Sequence, residues 1–187
     1  MSAETADFAF ATQRLCVRPV HAEDQAMFCA LYTDDATMRL IAPPMTAQVA
    51  TRAFANLLRS HESNPLRVLL LAIVEAATDR TLGFVGCHAF DSMAARLEIG
   101  LVLDRHAHGK GYPSEILTGF VARLFACLPV DAVEGRFPSA NKAADRAVRG
   151  IGFELDRAAM AASGDPDLRI RTAHRQTWLA WHARQPS

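Results

Sequence analysis

The chain has 187 residues, half of them hydrophobic, which is enough for one domain with a sizeable core. Twenty basic residues balance twenty acidic ones, so the formal net charge is zero. That balance argues against nucleic acid as the main partner, because such binders carry a basic excess or stripe.

Residues 1–11 read as a loose tail. Arg14 to Val20 sets Leu15 and Val17 against polar neighbours, which predicts a first strand. Asp24 to Tyr32 places Ala26, Met27, Ala30 and Leu31 at helical spacing, and Asp34-Asp35 breaks it. Pro43-Pro44 marks a turn, and Thr46 caps a helix predicted to run to about His61, ended by Asn64-Pro65. Arg67 to Val74 is a buried strand by its continuous apolar run. Thr78-Asp79-Arg80 turns it back into a second arm, Thr81 to Phe90, where Gly83 and Gly86 predict a bulge or a close backbone approach. After the turn Asp91-Ser92, Leu97 to Leu103 forms the next strand. A helix then ends near Leu128-Pro129, and Ala132 to Phe137 is again a strand. Asn141 caps a short helix closed by Gly152, Phe153 to Leu155 is a strand, and Leu168 to Leu179 reads as the last one. The middle meander is antiparallel by its short turns, and the unit from Leu97 to Phe137 is a right-handed parallel crossover. The class is therefore α+β, a mixed sheet with helices on its faces, in a single domain over 1–187.

No run approaches the roughly 20 apolar residues of a membrane span. The first residues, Met1 to Asp7, lack the basic and apolar blocks of a signal peptide. A cytoplasmic protein with no membrane partner is expected. Cys16, Cys29, Cys87 and Cys127 form no Cys-x-x-Cys pair, so they read as buried free thiols. No metal site is expected, since His106 and His108 alone do not make a ligand set.

The chemistry concentrates in Arg105 to Glu115, where the strand Leu97–Leu103 gives way to a helix. Such a junction exposes several backbone amides, and the helix dipole adds about half a positive charge. Gly109 and Gly111 let a ligand approach the backbone, and Lys110 and Arg105 add positive charge. This is a phosphate or pyrophosphate cradle. A Walker-type loop does not fit, because Lys110 is followed by Gly111 rather than Ser or Thr. A dinucleotide fingerprint fits poorly: Ser114 stands at its third glycine, and Asp131 precedes the next strand instead of following it.

The stretch His106-x-x-Gly109-x-Gly111 resembles the acetyl-CoA signature of the GNAT superfamily. The likeness covers most of the chain. Thr12 to Pro19 resembles the opening strand of the Rim-type branch, which acetylates ribosomal-protein N-termini, and Leu97 to Leu101 resembles its fourth strand. Asn141 with Gly152-Phe153 is similar to the second cofactor motif. His106 stands where Gln or Arg is usual, and Ala144 where serine is common. The resemblance implies a GNAT-type acyl-CoA N-acyltransferase fold, mostly antiparallel with one splayed parallel pair. It implies acetyl-CoA as acyl donor, its pantetheine arm paired with main-chain groups of Leu101, Val102 and Leu103. The amides from His108 through Gly109, Lys110, Gly111, Tyr112 and Pro113 to Ser114 would surround the pyrophosphate, and Asn141 would meet the pantetheine side. An amine acceptor, a protein N-terminus or a small molecule, then attacks the thioester directly, in a monomer or homodimer. A non-catalytic acyl-CoA sensor on the same fold is the alternative.

Glu98 is the first candidate base, on the cofactor strand, with a structural or substrate-binding carboxylate as the other reading. His88 is the second candidate, on the neighbouring strand, with a half-buried histidine bonded to a backbone partner as the favoured reading. Cys87 and His88 point to opposite faces of a regular strand, so they form no dyad. Tyr32 and Met38–Met45 are placed to reach the substrate from the first helices. Trp178 and Trp181 read as packing, with an oligomer surface as the alternative.

Overall fold

The computed structural model describes residues 4–62, 68–88 and 95–185, without the side chain of His88. Asn64-Pro65, Arg67, Ala89-Phe90 and the Asp91-Ser92 turn lie outside the described residues, as does any role of the His88 ring.

A 3-10 turn, Thr5–Phe8, leads into β1 (Phe10–Ala11) and β2 (Leu15–Pro19). Helices α1 (Gln25–Thr33), α2 (Asp35–Met38) and α3 (Ala47–His61) follow, with Thr46 accepting the Val49 amide as the expected cap. The meander is β3 (Leu69–Glu75), β4 (Arg80–His88) and β5 (Arg96–Leu103). Next come α4 (Tyr112–Cys127), β6 (Ala132–Pro138), α5 (Lys142–Gly150), β7 (Glu154–Leu155), α6 (Arg157–Ser163), β8 (Leu168–His174) and α7 (Arg175–His182). The strands form one sheet in the order β1-β2-β3-β4-β5-β6-β8-β7. Every neighbouring pair is antiparallel except β5 and β6.

Apolar clusters fill both faces of the sheet. One lies under α4 and includes Leu97, Ile99, Ile116, Phe120 and Leu124. The other lies under α1 and α3 and includes Phe28, Phe54, Ala72, Phe84 and Val102. Asp24 pins α1 to the sheet. Its buried carboxylate accepts from Arg18 at 2.8 Å, from the His21 amide at 2.8 Å and from the Thr81 hydroxyl at 2.7 Å.

The N-terminal segment corrects the expectation of a loose tail. Phe8 is fully buried, and Arg123 on α4 donates to the Ala9 carbonyl at 2.8 Å. Two phenylalanines in three residues, Phe8 and Phe10, supply the apolar area that holds it. The predicted strand Leu168–Leu179 is also corrected, since it stops at His174 and becomes α7. There the Arg175 guanidinium donates to the carbonyls of Phe125, Leu128 and Val130, the last at 2.7 Å. It thereby satisfies acceptors that the end of α4 leaves open. Trp178 is buried against Phe125 and donates to the Ile151 carbonyl at 2.8 Å, so it serves packing. Helix α6, which the pattern does not predict, starts on an Asp156 cap. Both glycines of β4 meet another backbone: a Cβ on Gly83 would lie 2.1 Å from the Val102 carbonyl, and one on Gly86 2.2 Å from that of Leu69.

Candidate active site

Strands β5 and β6 pair in parallel only from Arg96–Ala132 to Ile99–Gly135. Beyond Ile99, β5 keeps β4 as its neighbour while β6 continues beside β8, so the two strands part. The Asp104 amide donates to Leu82 at 2.8 Å, and the Val102 carbonyl faces Gly83. Both groups therefore point to β4, and alternation turns the main-chain groups of Leu101 and Leu103 into the gap. Val102, expected to share in pairing an arm there, faces the other way. The Leu103 carbonyl meets the His108 ring Nε2 at 3.2 Å.

The gap ends at the loop between β5 and α4. Asp104 accepts the His106 amide at 2.8 Å and caps a 3-10 turn over Arg105–Ala107. Gly109 and Gly111 follow at φ of 76° and 78°, where a side chain would be strained. A Cβ on Gly109 would meet nothing within 4 Å, so this side of the loop is open to a ligand. The first turn of α4 leaves the Tyr112 and Ser114 amides without helical partners, and Pro113 has no N–H to satisfy.

A clamp that the sequence did not reveal holds this loop. Arg14 donates to the Lys110 carbonyl at 2.9 Å and through Nε to Glu115 at 2.8 Å, and its guanidinium lies 4.6 Å above the Tyr112 ring. Burial would raise the Glu115 carboxyl, but bonds from Thr12 and Arg14 outweigh it and hold it below the usual range. The Tyr112 hydroxyl turns away from the loop and donates to Glu75 at 2.9 Å. Arg14 is separated from Glu115 by most of the chain and carries no local signature.

Asn141 has two tasks. Its Oδ1 accepts the Ala144 amide at 3.1 Å as the cap of α5. Its Nδ2 reaches the Leu40 carbonyl at 3.5 Å, joining the α2–α3 connection to the start of α5.

On the α1–α3 side of the sheet, a cavity of about 440 Å³ reaches Gly100, Leu101 and Val102. Phe28, Tyr32 and Phe84 supply aromatic walls, and Met38, Ile41, Ala42, Pro43 and Met45 supply the rim. Gly86 and Gly100 are register partners on its floor. Burial pushes the Tyr32 phenol up to about 12. Cys87 borders the same cavity, with its thiol also pushed up to about 12 by burial.

Glu98 shares this face of β5 with Gly100 and Val102 and stands one face position before Gly100, about 7 Å along the strand. Arg136, just past the last β5–β6 pair, holds it with Nε at 3.7 Å from Oε2. Glu134, its register partner, is engaged by Arg96, which also reaches Asp156 at 2.9 Å. Glu98 therefore sits at the end of a charged row, facing the vertex of the splay. This row escapes prediction because its members come from β5, β6 and the β7–α6 junction.

Comparison with known proteins agrees with this arrangement. The family model described as acetyltransferase (GNAT) domain matches residues 14–154. The uncharacterized N-acetyltransferase p20 of Bacillus licheniformis is 25% identical over 148 residues, covering 78% of this chain and 82% of that protein. The acetyltransferase of Agrobacterium tumefaciens str. C58 superposes with a TM-score of 0.72 at 20% identity, over 89% of this chain and 94% of that one. Spermidine N-acetyltransferase from Vibrio cholerae, solved in complex with CoA and spermine, gives 0.74 at 13% identity, over 90% and 99%. No helix among the described residues is long and apolar enough to cross a membrane. With a splayed parallel strand pair, a glycine loop at its end and a family match across most of its length, the chain belongs to the GNAT acetyltransferase family, whose acyl donor is acetyl-CoA.

Proposed function

We propose that the chain is an N-acetyltransferase that moves the acetyl group of acetyl-CoA to a primary amine by direct attack. The observation that carries this reading is one strand, β5, bordered by all three parts of a site. An amide-rich loop ends a gap with the main chain of Leu101 and Leu103 turned into it, and the cavity lined by Gly100, Leu101 and Val102 borders the same strand. Acetyl-CoA supplies an activated thioester, whose C–S bond breaks, with the electron pair leaving on sulfur, as the amine nitrogen bonds the acyl carbon.

The chain's own groups do the rest. The Gly109, Gly111, Tyr112 and Ser114 amides and Lys110 hold negative charge at the loop. Leu101 and Leu103 offer N–H and C=O groups to an extended arm as a neighbouring strand would, and Asn141 Nδ2 offers a further donor. Glu98 accepts the amine proton, directly or through a water. Its ion pair with Arg136 fixes the carboxylate at the vertex. The likeness of Thr12–Pro19 and Leu97–Leu101 to the Rim-type branch favours a protein N-terminal amine, with a small-molecule amine as the second acceptor class. A sensor of acyl-CoA would bind without turnover, so free-thiol release separates it from an enzyme.

The test is Glu98→Gln, with acetyl-CoA affinity measured by calorimetry and turnover by thiol release. We expect affinity to stay and kcat to fall by about 100-fold or more, the range of a lost general base. Unchanged kcat removes Glu98 from the mechanism.

A further inference from the structure

We infer that the acceptor is a primary amine carried on an uncharged, apolar or aromatic body, and that polycationic acceptors are rejected. This rests on the acetyltransferase reading and narrows its substrate class. Among the described residues, none that line the 440 Å³ cavity carries a charged side chain. Its walls are Phe28, Tyr32, Met38, Leu57, Leu70 and Phe84, and its size falls within the roughly 300–1,000 Å³ of small-molecule sites.

The polar side chains at its edge are largely spent. Asn56 Oδ1 accepts from Arg59, and the Ser60 hydroxyl donates to the Asn56 carbonyl at 2.9 Å. Tyr32, the ionisable side chain facing the cavity, is raised by burial and stays neutral at physiological pH, and the Cys87 side chain packs in the cluster under α4. Glu98, on this face of β5, is outside the lining and already faces Arg136.

A second ammonium drawn into such a cavity loses its hydration and finds no counter-charge, which is costly. A phenyl or branched alkyl group instead gains by leaving water. The paired glycines Gly86 and Gly100 remove side chains from the floor where the cavity meets the strand that borders the gap. The reacting nitrogen reaches the vertex there, while the apolar body stays between α1, α3 and the sheet. The same chemistry fits a free arylalkylamine or the first residue of a peptide beginning with Leu or Phe.

The experiment uses the full chain. Acetyl-CoA binding is measured first by calorimetry. Thiol release then compares phenethylamine, a peptide beginning with Leu, and spermidine, and calorimetry with CoA present measures amine binding. We expect kcat/KM for phenethylamine or the peptide to exceed that for spermidine by at least about tenfold, as an apolar group in a fitted pocket discriminates. Whichever of the two is preferred identifies the source of the amine, and both outcomes support the inference. Ile41 stands exposed at the cavity's rim, so Ile41→Glu adds a carboxylate without disturbing the core. That variant is expected to lower KM for spermidine and raise it for phenethylamine. Ala53→Phe, which fills the cavity from α3, is expected to weaken amine binding while acetyl-CoA affinity persists. Acetyl-CoA binding with equal or better use of spermidine overturns the inference alone. Absence of acetyl-CoA binding overturns the parent reading, and this inference with it.

Discussion

Gly109→Ala and Gly164→Ala are matched perturbations at unmatched places. Gly109 has φ 76° and Gly164 has φ 69°, and at both an added Cβ meets nothing within 4 Å. Each substitution therefore costs the left-handed strain of a side chain, about 1–2 kcal/mol, and no steric clash. For a chain of this length that lowers Tm by about 2–8 °C in either variant. Gly164 closes α6, away from the loop, whereas Gly109 lies where a diphosphate would meet the backbone. The added methyl occupies the open side of the loop, and displacing one charge-assisted amide bond there costs about 1.5–3 kcal/mol, or roughly 10- to 100-fold in affinity. Calorimetric titration with acetyl-CoA reads the affinity, and thermal unfolding reads the shared strain. The reasoning fails if Gly109→Ala loses no more affinity than Gly164→Ala.

Two other outcomes follow from the described contacts. Arg14→Ala is expected to weaken acetyl-CoA binding by about 3- to 10-fold while costing under about 1 kcal/mol of stability, because the clamp is partly exposed; unchanged affinity would show that the loop holds its shape unaided. Burial alone would raise the Asp24 carboxyl, but Arg18, the His21 amide and Thr81 outweigh it and hold it below the usual range. A carboxyl lowered by folding stabilises fully above its unfolded value near 3.9, and the effect fades as pH falls through the folded value. Asp24→Asn should thus cost about 2 kcal/mol at pH 7, with the gap to wild type narrowing below about pH 4; a gap in Tm that stays constant from pH 7 to pH 3 contradicts this.

Local pattern made the strand-to-helix junction legible. Leu97–Leu103 alternates into a strand, Gly109 and Gly111 mark positive φ, and the apolar spacing from Ile116 to Leu124 forms α4 as expected. The Asn141 cap was readable for the same reason, since the cap and the amide it accepts lie within one turn. What escaped depends on distant residues. Arg14 finds Glu115, and Arg136 finds Glu98, only once the sheet has assembled. The end of β8 was hidden because Arg175 switches the chain into α7 by bonding carbonyls of Phe125, Leu128 and Val130. Phe8 looked like part of a tail because its partners on α4 follow about a hundred residues later. The cavity's neutrality was likewise invisible, since its walls come from α1, α3, β3, β4 and β5.

Under the proposed function, main-chain amides at the β5–α4 junction grip the donor's diphosphate. Amide chemical shifts of the full chain, followed during a titration with CoA, address it residue by residue. The largest shifts are expected at Gly109, Gly111, Tyr112 and Ser114, with further shifts at Leu101 and Leu103 along the gap. Saturable CoA binding that leaves those amides unmoved would contradict it.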